Sequence, residues 1–283
     1  MDIVTTIAEV RQKVGAARFA AKYIGFVPTM GALHAGHGSL ISRAAEECDY
    51  VVVSIFVNPT QFGPHEDLEK YPRSFEADCE SCKKLGAHLV FAPTAKEMYP
   101  QEQLTWVDTD KLTEGLCGAQ RPGHFRGVTT VCSKLFNIVR PDFAYFGQKD
   151  AQQAVVIKRM VQDLNMPLEI RVCPIVREKD GLAMSSRNQY LTKEERKKAL
   201  CLHASLQKCR ELIEAGERNA ATLRTAMQGV YELPEVAVEY IEIVDPETLQ
   251  GLSELRTLSL VAVAAKVGST RLIDNMIIDL KNI

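Results

Sequence analysis

The chain has 283 residues, of which 46% are hydrophobic and 25% are charged, and its formal net charge is −2. This composition is typical of a globular protein that is large enough to bury a core without disulfide or metal staples. The slightly negative charge argues against a broad nucleic-acid-binding face, and the apolar runs at 50–57 and 258–265 are too short to span a bilayer.

The N-terminal stretch carries charged residues at Asp2, Glu9, Arg11 and Lys13 and has no long apolar segment. A secretory signal needs an uninterrupted apolar region, so this stretch predicts no such signal. We therefore expect a cytoplasmic protein.

From there to residue 176, short apolar runs alternate with amphipathic stretches. Strands are predicted at 23–28, 50–57, 87–93, 143–147 and 168–175. Helices are predicted at 38–48, 74–85, 127–139 and 151–164. The alternation predicts an α/β fold with a doubly wound, Rossmann-like parallel sheet. Because ligands bind at the carboxyl ends of such strands, we expect the polar loops 28–37, 58–66 and 147–152 to meet at one edge of the sheet.

The first of these loops lies within FVPTMGALHAGHGSL, residues 26–40, and carries His34 and His37. A helix is predicted to begin near residues 36–39, and its free N–H groups and dipole favour an anion. Both imidazoles can then donate hydrogen bonds to a phosphoryl oxygen. The same spacing is compatible with a structural helix cap. It is also compatible with a metal site, although carboxylates would have to complete the ligands because no other histidine has matching spacing.

Cys79 and Cys82 form a CxxC motif, which is found in zinc and redox sites. They share one face of the predicted helix with Phe75, and the sequence has no second CxxC. We therefore interpret them as buried thiols. Eight cysteines in a chain of this length, with no secretory signal predicted, do not indicate a disulfide framework.

Segment 176–191, VREKDGLAMSSRNQYL, contains charges and a glycine turn but no periodicity, and is predicted to be a linker that moves to admit a ligand. A long helix is predicted after it, with a capping box of Thr192 and Glu195 and an end at Gly216. A second helix near 219–233 and strands at 236–244, 257–265 and 270–278 complete a smaller C-terminal α+β domain. The predicted domains are residues 1–176 and, as a lid, residues 177–283.

Several motifs occur in a fixed order. HAGH at 34–37 matches the HxGH signature of the nucleotidyltransferase superfamily, and MSSRN at 184–188 occupies the place of that superfamily's KMSKS-like phosphate-binding loop. The others are PTMGALHAGH, SIFVNPTQF (54–62), YPR (71–73), RPGHFRGVTTV (121–131), FGQKDAQQ (146–153) and MSSRNQYL. With this set the chain resembles the pantothenate synthetase family over nearly its whole length, and RLIDN (271–275) extends the match. One departure is Gly38, where relatives commonly carry a larger residue. It loosens the helix start by roughly 0.5–1 kcal/mol relative to alanine.

The resemblance implies an enzyme that condenses pantoate with β-alanine, using ATP and releasing AMP and diphosphate. The family works through a pantoyl-adenylate, because a carboxylate is a poor acyl donor to an amine until its oxygen becomes a leaving group. A Mg²⁺ ion held mainly by the phosphates is implied, with Asp78 and Asp150 considered as aids. The family is commonly dimeric, so a homodimer is expected.

The resemblance also implies residue roles, with His37 the foremost catalytic group. The predicted catalytic residues, which supply donors and positive charge to the phosphates, are His37, His34, Lys149, Ser185, Ser186 and Arg187. The predicted ATP-binding residues are Met30, His34, His37, Gly147, Lys149, Asp150, Val176, Met184, Ser185, Ser186 and Arg187, with Asp150 near the ribose. The predicted pantoate-binding residues are Gln61, Gln153, Asn58 and Met30, with Gln61 also near β-alanine.

Other side chains are expected to surround the substrates without performing chemistry. The apolar Met30, Phe62 and Val131 are expected to enclose the methyl groups of pantoate. Arg121, His124 and Arg126, in RPGHFRG, are expected either to cover the site and order substrate or to form a polar turn.

Two other functions are compatible with parts of the sequence. Another HxGH adenylyltransferase would transfer AMP to a phosphate ester and stop, and the FVNPTQF and GQKDAQQ loops argue against it. A nucleotide-binding or RNA-binding module without activity would need a basic, aromatic stripe, which the sequence lacks.

Overall fold

A computed structural model describes residues 1–64 and 66–283; His65, in the predicted loop 58–66, lies outside the described residues. The elements of the first part are β1 Asp2–Val4, α1 Ile7–Phe19, β2 Ile24–Thr29, α2 Ala35–Glu47, β3 Tyr50–Ile55, α3 Phe75–Lys84, β4 Leu89–Phe91, α4 Ala95–Met98, α5 Leu116–Gln120, α6 His124–Val139, β5 Phe143–Gly147, α7 Ala151–Asp163 and β6 Glu169–Cys173. Those of the second part are α8 Lys193–Ala199, α9 Cys201–Glu214, α10 Ala220–Gln228, β7 Val236–Val244, β8 Leu258–Val267 and β9 Thr270–Asp279. Short 3₁₀ turns occur at Pro59–Gln61, Gln148–Asp150, Ser186–Tyr190, Gly229–Tyr231 and Leu280–Asn282.

The first six strands form one parallel sheet in the order β1-β4-β3-β2-β5-β6. The chain proceeds from β2 outward to β3 and β4, then returns to β5 on the other side of β2. The strand order therefore reverses between β2 and β5, and this is the place where doubly wound sheets bind ligands. Phe26 and Val27 of β2 and Tyr145 of β5 are fully buried, as helices on both faces require. The predicted α/β fold is confirmed.

The last three strands form a separate antiparallel sheet in the order β7-β8-β9. Helices α9 and α10 pack against it, and their apolar faces share one core cluster with the strands. Leu202, Leu206 and Leu223 are among its most deeply buried side chains. The predicted smaller α+β unit is therefore confirmed.

The helix predicted after Thr192 is wrong in length. It is two helices, because Leu200 N–H bonds to Lys197 three residues back and this tightens the last turn of α8 before α9 begins. The capping box is confirmed, since Thr192 and Glu195 each accept a hydrogen bond from the other's backbone. Gly216 follows α9 with a φ of +100°, as a left-handed helix stop requires.

All eight cysteines are buried free thiols. Cys79 and Cys82 lie on the inner face of α3, so the interpretation of the CxxC motif as packing is confirmed. Burial raises the pKa of Cys82 to about 12, and a thiol held in this way is unreactive at neutral pH.

Candidate active site

A cavity of about 220 Å³ lies at the carboxyl ends of β2 and β5. The three polar loops and segment 176–191 converge on it, as the parallel topology requires. It is lined by all the residues given catalytic or binding roles above, namely Met30, His34, His37, Asn58, Gln61, Gly147, Lys149, Asp150, Gln153, Val176, Met184, Ser185, Ser186 and Arg187. The structure thus brings these residues together, while their individual roles stay predictions.

The histidine pair forms the start of α2. His34 is the N-cap, and its Nδ1 accepts the N–H of Gly36 at 3.1 Å. His37 Nδ1 accepts the N–H of His34 at 3.4 Å. Because each Nδ1 acts as an acceptor, a neutral ring carries its proton on Nε2, which remains free to donate to a ligand. Capping the helix and donating to an anion are therefore compatible roles for the same rings.

Gly36 has no side chain, and the His34 ring occupies the space that a Cβ at position 36 would need. A Cβ at position 36 would lie 2.8 Å from His34 Cε1, closer than carbon atoms approach. The two imidazoles then stack on each other, with 4.1 Å between ring centroids. Glycine at this position thus fixes the shape of the HAGH turn.

The imidazoles of the cavity are neutral at physiological pH. Burial, together with the nearby His34, lowers the pKa of His37 to about 3. Burial and the charge of Lys149 lower the pKa of His34 to about 4. Burial and the charge of Arg121 lower the pKa of His124 to about 4 as well. In the free protein, each ring is therefore a neutral group rather than a cation.

We expect the folding stability of the free protein to fall as the pH drops from about 7.5 to about 5. The imidazoles of the unfolded chain take up protons near their ordinary pKa of about 6.5, whereas the folded rings stay neutral until about pH 4. The unfolded state binds more protons in this window, so linkage favours it. Urea unfolding at both pH values measures the loss. His37→Gln should lose less stability than the wild type over the same interval, and equal losses would contradict the assignment.

Asp78 anchors the turn that precedes the histidines. Its Oδ2 and Oδ1 accept the N–H groups of Ala32 and Leu33, both at 2.8 Å, and Ser74 Oγ donates to Oδ1 at 3.0 Å. Ala32 and the preceding Gly31 have positive φ angles of 50° and 81°, so this turn needs such support. With both carboxylate oxygens bound to the protein, Asp78 holds this loop, while its aid to Mg²⁺ stays a prediction.

Gln61 is held in place from several directions. Asn58 Nδ2 donates to Gln61 Oε1 at 3.1 Å, and Gln61 Nε2 donates to Met30 Sδ at 3.2 Å. His124 Nδ1 lies 2.8 Å from the Gln61 carbonyl oxygen and donates to it, so His124 Nε2 accepts from Arg121 at 3.0 Å. Gln61 is 8% exposed. Its amide is therefore presented to the cavity in one orientation.

Helix α6 approaches the turn that carries Gln61 so closely that only glycine fits at position 127. A Cβ on Gly127 would lie 2.4 Å from the Thr60 carbonyl oxygen and 2.7 Å from Gln61 Cα. Asn58 Nδ2 also donates to the Gly127 carbonyl at 3.2 Å. The RPGHFRG segment therefore supports the turn that carries Asn58 and Gln61 from behind. Arg126 does not line the cavity; it is exposed, and its guanidinium lies 4.4 Å from the centroid of the Trp106 ring.

Arg187 is bound by a carboxylate from a distant segment. Its Nε and Nη2 donate to Asp67 at 3.0 and 2.9 Å. Tyr71 OH lies 3.3 Å from Ser186 Oγ, so the segment 66–71 contacts the MSSR loop at two points. Carboxylate and phosphate use the same donors of the guanidinium. Asp67 occupies the Nε and Nη2 side of the guanidinium, so a phosphate would bind either through the N–H groups of Nη1 and Nη2 that Asp67 leaves, or in place of Asp67.

Lys149 and Asp150 follow β5 in the 3₁₀ turn Gln148–Asp150. The Lys149 Nζ lies 3.8 Å from Asp150 Oδ2, a loose ion pair. The Lys149 side chain is 21% exposed and that of Asp150 is 50% exposed. Both are accessible to a ligand in the cavity.

Two contributions were missed by the sequence reasoning. No role was predicted for Asp67, and Asp78 was considered only as an aid to the metal. Asp67 bonds to a residue 120 positions away, and Asp78 bonds to residues 45 and 46 positions away. No local spacing signals contacts of this range.

The family profile described as Pantoate-beta-alanine ligase matches residues 2–277. Pantothenate synthetase of Moorella thermoacetica is 56% identical over 283 residues and covers 100% of both chains. The crystal structure of pantothenate synthetase from Thermus thermophilus has a TM-score of 0.92 at 46% identity, covering 98% of this chain and 99% of the other. The pantoate-beta-alanine ligase of Francisella tularensis, complexed with beta-gamma ATP and β-alanine, has a TM-score of 0.77 at 34% identity, covering 98% and 97%.

Proposed function

The chain belongs to the pantoate-beta-alanine ligase family, and from that premise we propose that it condenses pantoate with β-alanine in the cavity described above, with ATP as co-substrate. One observation carries the assignment to this cavity. The HAGH turn, the glutamine loop and the MSSR segment converge at the point where the strand order of the sheet reverses. A site for joining two small molecules through an adenylate needs these three parts, because it must hold a carboxylate, an amine and a triphosphate together.

In the first step, we assign the HAGH turn to the reacting phosphate. A carboxylate oxygen of pantoate attacks the α-phosphorus of ATP, and the bond from that phosphorus to diphosphate breaks. Negative charge grows on the phosphate oxygens, and the Nε2–H groups of His37 and His34 donate to them. His37 is the principal donor. The ammonium of Lys149 supplies a full positive charge at the same place.

The MSSR segment is assigned to the departing phosphates. Ser185 and Ser186 offer hydroxyl donors, and Arg187 offers a planar fork that matches two phosphate oxygens at once. Ser186 begins the 3₁₀ turn there, and the Ser185 side chain caps it by accepting from Arg187 N–H. These residues therefore act by holding the leaving group in line with the attack.

We assign the remaining nucleotide contacts to residues beside the MSSR segment and to residues that follow β5. Met184 N–H donates to the Val176 carbonyl at 3.0 Å, so these residues lie side by side and offer an apolar wall to adenine. Gly147 lets the nucleotide approach the backbone closely, and Asp150 accepts from ribose hydroxyls. We propose that Mg²⁺ accompanies ATP and is held mainly by the phosphates, which are the oxygen ligands it prefers.

Pantoate is assigned to the glutamine loop. Gln61 and Gln153 each carry a donor and an acceptor, which suits the hydroxyl and carboxylate groups of pantoate. Asn58 orients Gln61, and Met30 and Phe62 line the same cavity as apolar surface for the methyl groups. In the second step the amine of β-alanine, near Gln61, attacks the acyl carbon, the bond from that carbon to AMP breaks, and the amine loses a proton.

We also propose roles for the two domains, an oligomeric state and a cellular location. Residues 1–176 hold nucleotide and pantoate, and residues 177–283 act as a lid domain that excludes water from the adenylate. Two copies form a homodimer, and the enzyme works in the cytoplasm. Within residues 1–64 and 66–283, no helix has the length and apolar character needed to cross a membrane.

An exchange experiment tests the proposed chemistry. We expect pantoate, without β-alanine, to support exchange of labelled diphosphate into ATP. We expect AMP formation to require pantoate and β-alanine together. A folded protein that shows no exchange with pantoate would overturn the adenylate mechanism, and exchange with a phosphate ester in its place would favour another adenylyltransferase.

A further inference from the structure

Two adjacent residues of β9, Asp274 and Asn275, each bind a different segment of the cavity. Both residues are 3% exposed. Neither lines the 220 Å³ cavity, but both lie in the wall of an adjoining cavity that also contains Lys149, Ser185 and Arg187. Successive residues of a strand point to opposite faces of the sheet, so one strand can contact two segments at once. These residues therefore connect the C-terminal sheet to two segments of the site.

Asn275 binds the turn that carries Lys149. Its Nδ2 donates to the carbonyl oxygens of Gln148 and Lys149 at 3.0 and 2.9 Å, and its Oδ1 accepts from Gln148 Nε2 at 3.0 Å. Both N–H groups and the oxygen of this amide are thus occupied by one turn. That turn has no side-chain cap of its own, so Asn275 supplies the restraint.

Asp274 binds the segment that leads to the MSSR loop. Its two oxygens accept from Arg177 Nη1 and Nη2 at 2.6 and 2.9 Å, a bidentate pair. Arg177 Nη1 also donates to the Gly181 carbonyl at 3.0 Å, which closes the hairpin between Arg177 and Ala183. The MSSR loop begins at the next residue, so its starting point is fixed by Asp274.

We propose that Asp274 and Asn275 are positioning residues that set the distance and orientation between Lys149 and the MSSR loop. The inference rests on the proposed function, since it assumes that both segments hold the triphosphate. A triphosphate bound from two sides requires its two sets of donors to be held at a fixed separation. A misplacement of about 1 Å costs up to about 10²-fold in rate. A single strand that bonds to both segments provides this fixed separation.

Asn275→Asp tests the proposal with almost no change of shape. The variant loses both N–H donors and places a carboxylate against two carbonyl oxygens. We expect kcat of the pantoate-dependent exchange to fall by about 10- to 100-fold, with little change in KM for pantoate. Asn282→Asp, an exposed Asn on the final 3₁₀ turn, is the matched control and should leave exchange unchanged.

A double-mutant cycle separates positioning from general damage to the fold. In a Lys149→Ala background, Asn275→Asp should change exchange by less than about threefold, because the group it positions is gone. Equal fold-losses in both backgrounds would show a merely structural role and overturn the inference. Asp274→Asn provides a second arm, and we expect it to raise KM for ATP more than KM for pantoate. Absence of exchange in the wild type would instead refute the proposed function.

Discussion

His37→Ala is expected to lower the rate of pantoyl-adenylate formation by about 10²–10³-fold, the typical loss when one donor to a transition-state oxyanion is removed. His37 Nδ1 is occupied by the backbone of His34, and its remaining N–H is the one available to phosphate. The donor acts as charge develops, so binding of ATP and pantoate should change far less than the rate.

Single-turnover measurement of adenylate formation at saturating substrates checks this result, with calorimetric titration of ATP and pantoate as the control for binding. His37→Gln restores an N–H donor near the same place and should recover part of the rate. If His37→Ala binds both substrates and still turns over at the wild-type rate, the catalytic role assigned to His37 is wrong.

Gly127→Ala is expected to lower kcat/KM for pantoate by about 10²-fold, although residue 127 lies on a helix behind the cavity. Its Cβ would lie 2.4 Å from the Thr60 carbonyl oxygen and 2.7 Å from Gln61 Cα. Because both are backbone atoms, the turn that carries Gln61 must move. Overpacking of this kind also lowers the free energy of unfolding by about 1–3 kcal/mol. We expect the KM for pantoate to rise more than the KM for ATP, as measured by initial rates.

Gly15→Ala is the matched control, because Gly15 is also helical but an added Cβ there meets nothing within 4 Å. It should leave both KM values unchanged and raise the free energy of unfolding by about 0.5–1 kcal/mol. A Gly127→Ala enzyme with the pantoate KM of the wild type would show that the close approach of α6 does not position Gln61.

The elements that the sequence predicted well are those with a clear periodic pattern. Strand β2 and strand β5 are buried on both faces, so their apolar runs stand out between polar loops. Strand β1, only three residues long, has too few positions to show a period, and it is recognisable only through its parallel pairing with β4. The break at Leu200 was also hidden, because amphipathic periodicity continues across it from α8 into α9.

The residues of the site likewise fall into those that a sequence pattern predicts and those that it does not. Parallel topology predicts that loops after β2, β3 and β5 meet, and this places the histidines, Gln61 and Lys149 in one cavity. The side chains that support them come from elsewhere in the chain, such as Asp78 on α3 and Asn275 on β9. Their identity depends on which backbone groups need partners in the folded state, and a single sequence does not show this.

The ion pair between Asp67 and Arg187 has a consequence for ligand selection. If Arg187 binds phosphate through the same Nε and Nη2 donors, Asp67 competes with the ligand. The apparent affinity for ATP would then scale with the fraction of molecules in which these donors are free. A lone carboxylate, such as that of pantoate or β-alanine, offers Arg187 nothing that Asp67 does not already provide. A triphosphate offers more charge and more oxygens. On that condition, the ion pair would favour a polyphosphate over a single carboxylate as the anion bound by Arg187.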